Sequence, residues 1–428
     1  MRVRFMSYED LPKIRLPNGN DVFISDSTLR DGAQMPGIVI TLRDRLRIYE
    51  YLHRIGIEKL EVFLFSSTDK RAAREMLDRG CNPEVTGWSR ANTNDIDLVL
   101  EMDGIRETGI LMSISDPHIL IKMGLPGREA AREMYLSALQ YAVDHGLRTR
   151  AHLEDITRSD LEGFVYPLVR DIIDIDRDCT IRICDTLGYG LPFEGLSDPY
   201  SIPSMVLRLR ELGVKNIETH IHDDFGFGTV NSIVGYWYGA NWSNLTFLGI
   251  GERAGNAELE KVLLFLKTRV EGFEKYDLSC LTEFAQFMEE HVGIRVPRNK
   301  AVVGRNIFSH ESGIHTAGVI RNPFTYEPYP PEIVGATRSL MIGPTSGREV
   351  LKIKVEEALR ELMDMDVSVD KDDWRLNLIH SEIKRLYDEE KRRSCISDEE
   401  LKAYVEKYFL FESIFENESH KSGDPMPD

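Results

Sequence analysis

A (β/α)8 TIM barrel followed by a mainly helical C-terminal region is the fold class this sequence predicts. Three observations lead there. Eight short β-rich runs alternate with helix-period stretches over the first part of the chain, in roughly the 250 residues such a barrel needs. Every connection between runs is long enough for a parallel crossover. No glycine-rich GxGxxG turn follows the first run, which weakens the rival doubly wound sheet.

In chain order the strands are expected at 21–27, 59–65, 84–90, 108–114, 148–155, 179–186, 216–223 and 244–250. Helices are expected over 42–56 and 127–146, with Gly56 and Gly146 at the ends where helix C-termini favour glycine. A helix over 281–294, a Gly-, Pro- and His-rich stretch from about 295 to 347 and two amphipathic helices follow. The expected organisation is a catalytic barrel over 20–270, a linker subdomain over 271–350, a helical subdomain over 351–415 and a disordered tail over 416–428.

Composition narrows the function. The 428 residues are 42% apolar, enough for a large core. No run of about 18 uncharged apolar residues exists, so no membrane partner is expected. The N-terminus lacks the apolar stretch of a signal peptide, and the five cysteines are scattered, so a cytoplasmic location is expected. No two cysteines form a CxxC pair, which argues against a thiolate zinc site. A net charge of −18 argues against a nucleic-acid partner, because phosphates are repelled.

The chemistry sits at strand ends. In "ETHIHDD", His220 and His222 alternate on the seventh strand, so both imidazoles face one point. They close that strand at its C-terminal end, where barrels place active sites. Asp31, in "SDSTLRDGAQ", follows the first strand at the same rim. Strands one and seven flank strand eight, so Asp31 approaches the histidines. After strand eight, "GIGERAGN" supplies the amide oxygen of Asn256. This mixed N/O set suits a divalent metal: Mn²⁺, Zn²⁺, Co²⁺ or Mg²⁺.

"DSTLRDGAQ", "HIHDDFG", "GIGERAGN" and "HESGIH" together resemble the metal-dependent acyl-CoA condensing and cleaving barrels. These include isopropylmalate, homocitrate and citramalate synthases, Re-type citrate synthases and hydroxymethylglutaryl-CoA lyases. The resemblance covers about residues 20 to 350 and implies the same four metal ligands. It implies that Arg30 holds a carbonyl oxygen as negative charge grows there. It assigns Glu154 to the active site, Thr186 as a substrate-facing hydroxyl and Glu61 as a second-strand acid. Gln34 is retained from the first motif, whereas Ala33 stands where the synthases usually carry Glu. By alternation His152 and Arg150 share the face of Glu154. Arg90 closes strand three, able to bind a carboxylate.

The resemblance further implies that the segment over 308–335 crosses to the barrel of a second subunit. There His315 and Tyr326 assist acid–base chemistry, in a homodimer with a swapped linker. The lyases lack this segment, so condensation is favoured over cleavage. The expected reaction joins acetyl-CoA, as co-substrate, to a 2-oxo acid, with thioester hydrolysis. His315 is the first candidate in the base network and Glu154 the second. The interior arginines point to a dicarboxylate such as oxaloacetate or 2-oxoglutarate, as in homocitrate or Re-citrate synthases. If Arg150 and Arg182 lie low and pair with Glu218, only Arg90 is left near substrate. Isopropylmalate or citramalate synthesis, and a lyase, are the alternatives; a metal-holding scaffold would not require Arg30. No leucine-responsive effector domain is expected after residue 350.

Overall fold

The computed structural model describes residues 7–19, 21–197 and 199–411. The expected disordered tail over 416–428 lies outside them. Eight parallel strands close into a barrel: β1 (Phe23–Asp26), β2 (Lys59–Val62), β3 (Glu84–Arg90), β4 (Glu107–Ser113), β5 (Arg148–Glu154), β6 (Thr180–Asp185), β7 (Asn216–Ile221) and β8 (Trp242–Leu245). Closure is the β1–β8 pairing, with Phe23 opposite Trp242 and Asp26 opposite Leu245.

The barrel helices are α1 (Leu42–Ile55), α2 (Ser67–Asp78), α3 (Thr93–Leu100), α4 (Arg128–Asp144), α5 (Tyr166–Ile175), α6 (Ile202–Glu211), α7 (Gly228–Tyr238), α8 (Leu259–Arg269) and α9 (Leu281–Phe287). Local chemistry fixes their ends. Thr41 and Asp44 form a capping box at the start of α1, and Gly56 ends it in the left-handed region at φ 91°.

The eighth strand is shorter than expected from 244–250. It stops at Leu245, and Phe247–Gly249 form a 3₁₀ turn in which Leu248 is left-handed. Glu260, buried at the start of α8, accepts the Leu248 N–H and stabilises that turn. The helix expected over 281–294 ends as α at Phe287 and continues as a π-turn over Met288–Val292.

Strand alternation splits the side chains. Ile24, Leu60, Ile110, Ala151, Ile181 and Ile217 point outward and are buried beneath the helices. The inward set is strongly polar. Arg150 pairs with Glu107 (2.8 Å) and Glu218 (3.1 Å), and Arg182 pairs with Glu218 (2.6 Å) and Glu61 (2.9 Å). Arg30 then joins Glu61 (2.7 Å) to Asp31 (2.9 Å). A chain of alternating charges thus runs from the N-terminal end of β4 to the mouth. Each buried ion has a partner, which such burial demands. Arg150 and Arg182 are therefore committed to this network, which overturns their reading as a seat for a second substrate carboxylate.

Of the described residues, 12–297 with 301–303 form one compact unit, and 7–11, 298–300 and 304–411 form another. The division thus falls near 300 rather than at 270 and 350. Helix α9 stays with the barrel because Phe284 stacks on both Tyr51 and Phe247. In the second unit, β9 (Ser309–His310) pairs with β10 (Ser339–Leu340), and Ile342 bridges to Ile396. These ties join the linker stretch to the helices. The unit holds α10 (Gly313–Arg321), α11 (Arg348–Met363), α12 (Trp374–Asp388) and α13 (Asp398–Val405). Val355, Leu376, Ile379 and Val405 form the centre of its core.

Candidate active site

The C-terminal ends of the strands surround a hollow of about 410 Å³. Arg30, Asp31, Gln34, Arg90, His152, Glu154, Thr186, His220 and His222 all line it. A larger hollow of about 770 Å³ lies on the outer wall between α1 and α9. Two of its arginines, Arg47 and Arg79, are ion-paired with Glu283 and Glu50.

The metal-ligand candidates converge. Asp31, His220 and His222 each offer a donor atom, all within 4.8 Å of one another. Their orientation has identifiable causes. The His220 Nδ1–H donates to Asn244 Oδ1 at 2.8 Å, an oxygen whose role is set because Asn244 Nδ2 donates to Ser25 Oγ. The His222 Nδ1–H donates to the Gly255 carbonyl at 3.0 Å. Both Nε2 lone pairs therefore face Asp31 Oδ2, at 3.2 and 3.8 Å. Two lone pairs aimed at a carboxylate oxygen repel it unless a cation stands between them.

Asn256 supplies an independent sign. Its Nδ2 donates to Asp31 Oδ1 and to the Ile250 carbonyl, both at 3.1 Å. Its Oδ1 is buried and has no hydrogen-bond partner among the described residues. A buried amide oxygen left unpaired is costly, and a metal ion would satisfy it. Two imidazoles, a carboxylate and this oxygen therefore fit a divalent ion. Gly251 makes the arrangement possible: a Cβ there would lie 2.3 Å from Asn256 Nδ2 and 3.0 Å from Asp31 Oδ1. Burial pushes the Asp31 carboxyl up, but the adjoining Arg30 guanidinium outweighs it and holds Asp31 below the usual range. Burial and the neighbouring His220 lower His222 to about 4, so it stands as a neutral donor.

Depth separates the other residues. Glu61 is fully buried and receives Arg30 Nε on one side and Arg182 on the other. It sits behind Arg30 and does not line the hollow. His152 lies at the floor, 3.4 Å from Glu61 Oε2, where Gly109 leaves room for its ring. Burial first, then Arg182, keeps it neutral. Thr186 Oγ1 accepts the Asp155 N–H at 2.8 Å, so its own hydrogen is free for a ligand. Arg90 is at the rim, with Nε and Nη2 held by Asp95. Glu154 faces the hollow but is a poor resting base: burial raises its pKa, yet His118 and Lys122 bring it to about 2.

His315 and Tyr326 belong to the second unit. Both are exposed, with ring centroids 4.2 Å apart. The sequence reading missed Asn244, His118, Lys122 and Arg253. His118 and Lys122 carried a signal, being four apart directly after a strand end. Arg253 binds Asp224 at 3.0 Å and the Thr186 carbonyl, tying the loops after β6, β7 and β8 together.

Comparison with known proteins gives the family and the fold. The HMGL-like family profile matches residues 21–288, and the homocitrate synthase post-HMGL domain-like profile matches residues 302–391. A citrate (Re)-synthase from Clostridium kluyveri is 37% identical over 423 residues, spanning 94% of this chain and 92% of that protein. A 2-isopropylmalate synthase from Sulfolobus acidocaldarius is 38% identical over 376 residues, spanning 86% and 92%. A homocitrate synthase from Methanothermobacter thermautotrophicus is 35% identical over 338 residues, spanning 78% and 84%. Among solved structures, an HMG-CoA lyase from Acenitobacter baumannii aligns with a TM-score of 0.54 at 18% identity, over 67% of this chain and 96% of that one. That likeness concerns the fold.

Proposed function

This chain belongs to the HMGL-like family, and from that premise we propose that it is an acyltransferase joining acetyl-CoA to a 2-oxo acid. The observation that carries the proposal is the buried, unpaired Oδ1 of Asn256 beside Asp31, His220 and His222, with Arg30 adjoining. Asp31, His220, His222 and Asn256 would hold Mn²⁺, Zn²⁺, Co²⁺ or Mg²⁺. When bound, such an ion supplies polarisation of a carbonyl oxygen.

The chain's own groups do the rest. Arg30, fixed by Glu61 and Asp31, presents positive charge where an alkoxide develops. Thr186 donates its hydroxyl hydrogen to the oxo acid. Glu154 stays ionised at the wall, and His315 takes the proton from the acetyl methyl and later activates water. Tyr326, beside His315, orients it. His315 and Tyr326 reach the barrel of a second copy in a homodimer. Their exposure on a separate unit supports this reading.

The oxo acid is a dicarboxylate, oxaloacetate first. The largely exposed cation Arg90 at the rim supports this, as do relatives named citrate (Re)-synthase along nearly the whole chain. One observation favours a second reading, isopropylmalate synthesis: Trp88 and Leu111 also line the hollow. Thiol release from acetyl-CoA with oxaloacetate, 2-oxoglutarate, pyruvate and 2-oxoisovalerate tests both. The highest kcat/KM is expected with oxaloacetate. Preference for pyruvate or 2-oxoisovalerate would overturn the dicarboxylate assignment, and no release with any acid would overturn the condensation.

A further inference from the structure

The loop after β4 contains a device that the proposed chemistry has not yet used. Following Ser113, the chain forms a short π-helix over Pro117–Lys122. Its first and last turns bring His118 and Lys122 to one carboxylate, that of Glu154 at the end of β5. Lys122 Nζ lies 2.7 Å from both oxygens. The His118 ring nitrogen Nδ1 lies 3.1 Å from Oε2, and the Ser113 hydroxyl donates to the same oxygen.

Backbone strain at the next residue supports the same alignment. Asp155 is left-handed at φ 66°, a conformation disfavoured outside glycine. It aims its N–H at Thr186 Oγ1, and its buried carboxylate binds Ser115 and Arg158 and approaches His118 Nε2 at 3.6 Å. The direction of Glu154 is thus set from β4, from the π-helix and from its own strand. Of these partners only Lys122 also lines the hollow. It is half-exposed, whereas Glu154 is largely buried.

Resting on the reading of Glu154 as an active-site group, we infer that Lys122 and His118 are positioning residues that act through Glu154, keeping it an ionised carboxylate with one fixed direction. The titratable groups around it leave few other sources of that control. From α4 comes Tyr135, whose hydroxyl donates to the Ser113 carbonyl and stays protonated through burial. From β6 comes Cys184, whose thiol burial pushes up. Asp155 adds negative charge, which opposes ionisation of Glu154. The depressed value of about 2 for Glu154 follows from its partners despite burial.

Infrared difference spectra against Glu154→Gln isolate the Glu154 carboxyl and need no turnover. In the wild type, no protonated signal is expected at pH 4 or above. In Lys122→Met its midpoint should rise by at least about one pH unit, with a further rise when His118→Gln is added. Lys122→Arg should stay within a few tenths of a unit of the wild type. The acid limb of kcat/KM should move with the infrared midpoint, while metal affinity by calorimetry stays unchanged. Equal titration in Lys122→Met and wild type, or no carboxyl signal in Lys122→Met wherever it remains folded, would overturn the inference. An infrared shift without any condensing activity would uphold it and sink the assigned reaction instead.

Discussion

At the scale of single residues, the site is held by neighbours that touch no substrate. Asn244 orients His220 by accepting its Nδ1–H, leaving Nε2 free towards Asp31. Replacing such a partner typically costs about 10–100-fold in metal affinity, so Asn244→Ala should weaken Mn²⁺ binding by that factor in calorimetry. Asp31→Ala should abolish it, and unchanged binding in Asp31→Ala would exclude this site. The two candidate histidine ligands were legible in the sequence because a two-residue spacing on a strand fixes a shared face. Asn244 was not: its role depends on a cross-strand neighbour, opposite His220 in the β7–β8 register. Depth was equally hidden. Alternation put Arg150 and Arg182 inside the barrel correctly and the resemblance supplied Glu61, but an inward side chain can meet either substrate or another buried ion.

At the scale of elements, strand and helix order was readable from periodicity, and the short β8 was not. There Leu248 takes a left-handed backbone that neither its side chain nor the apolar run announces. The loop beyond it is tightly packed, and its sequence explains why. Gly251→Ala should lower metal affinity, because its Cβ would displace the Asn256 amide and crowd the Asp31 carboxylate. Retained affinity would show that the loop can yield. The interior ion chain makes a different prediction. Glu218 compensates both Arg150 and Arg182, and breaking a buried pair costs about 3–5 kcal/mol. Glu218→Gln should therefore lower the urea midpoint strongly. The same network sets an acid limit. Burial raises the pKa of Glu61 and Glu107, but the basic partners outweigh it and leave both lowered. Between the unfolded and folded pKa values the unfolded chain binds more protons. Their stabilisation is complete above the unfolded value of about 4.3 and is lost as pH falls through the lower folded values. Urea midpoints measured against pH should decline in that acid window, and less steeply in Glu61→Gln.

At the scale of the whole molecule, the proposed acid–base pair and the proposed metal site lie on different compact units. His315 and Tyr326 share one small exposed cluster, while Arg30 and Asp31 are buried in the barrel. If each active site takes His315 from the other subunit, two inactive variants must complement one another. In a mixed dimer of Arg30→Ala and His315→Ala, one site carries both defects and the other carries neither. Random exchange makes half the dimers mixed, so activity should recover to about a quarter of the wild-type value. If His315 instead serves the barrel of its own chain, every site keeps one defect and mixing restores nothing. The recovered rate after subunit exchange, measured by thiol release and checked by sedimentation for a dimer, therefore distinguishes the two arrangements. A fully active monomer would exclude the shared site.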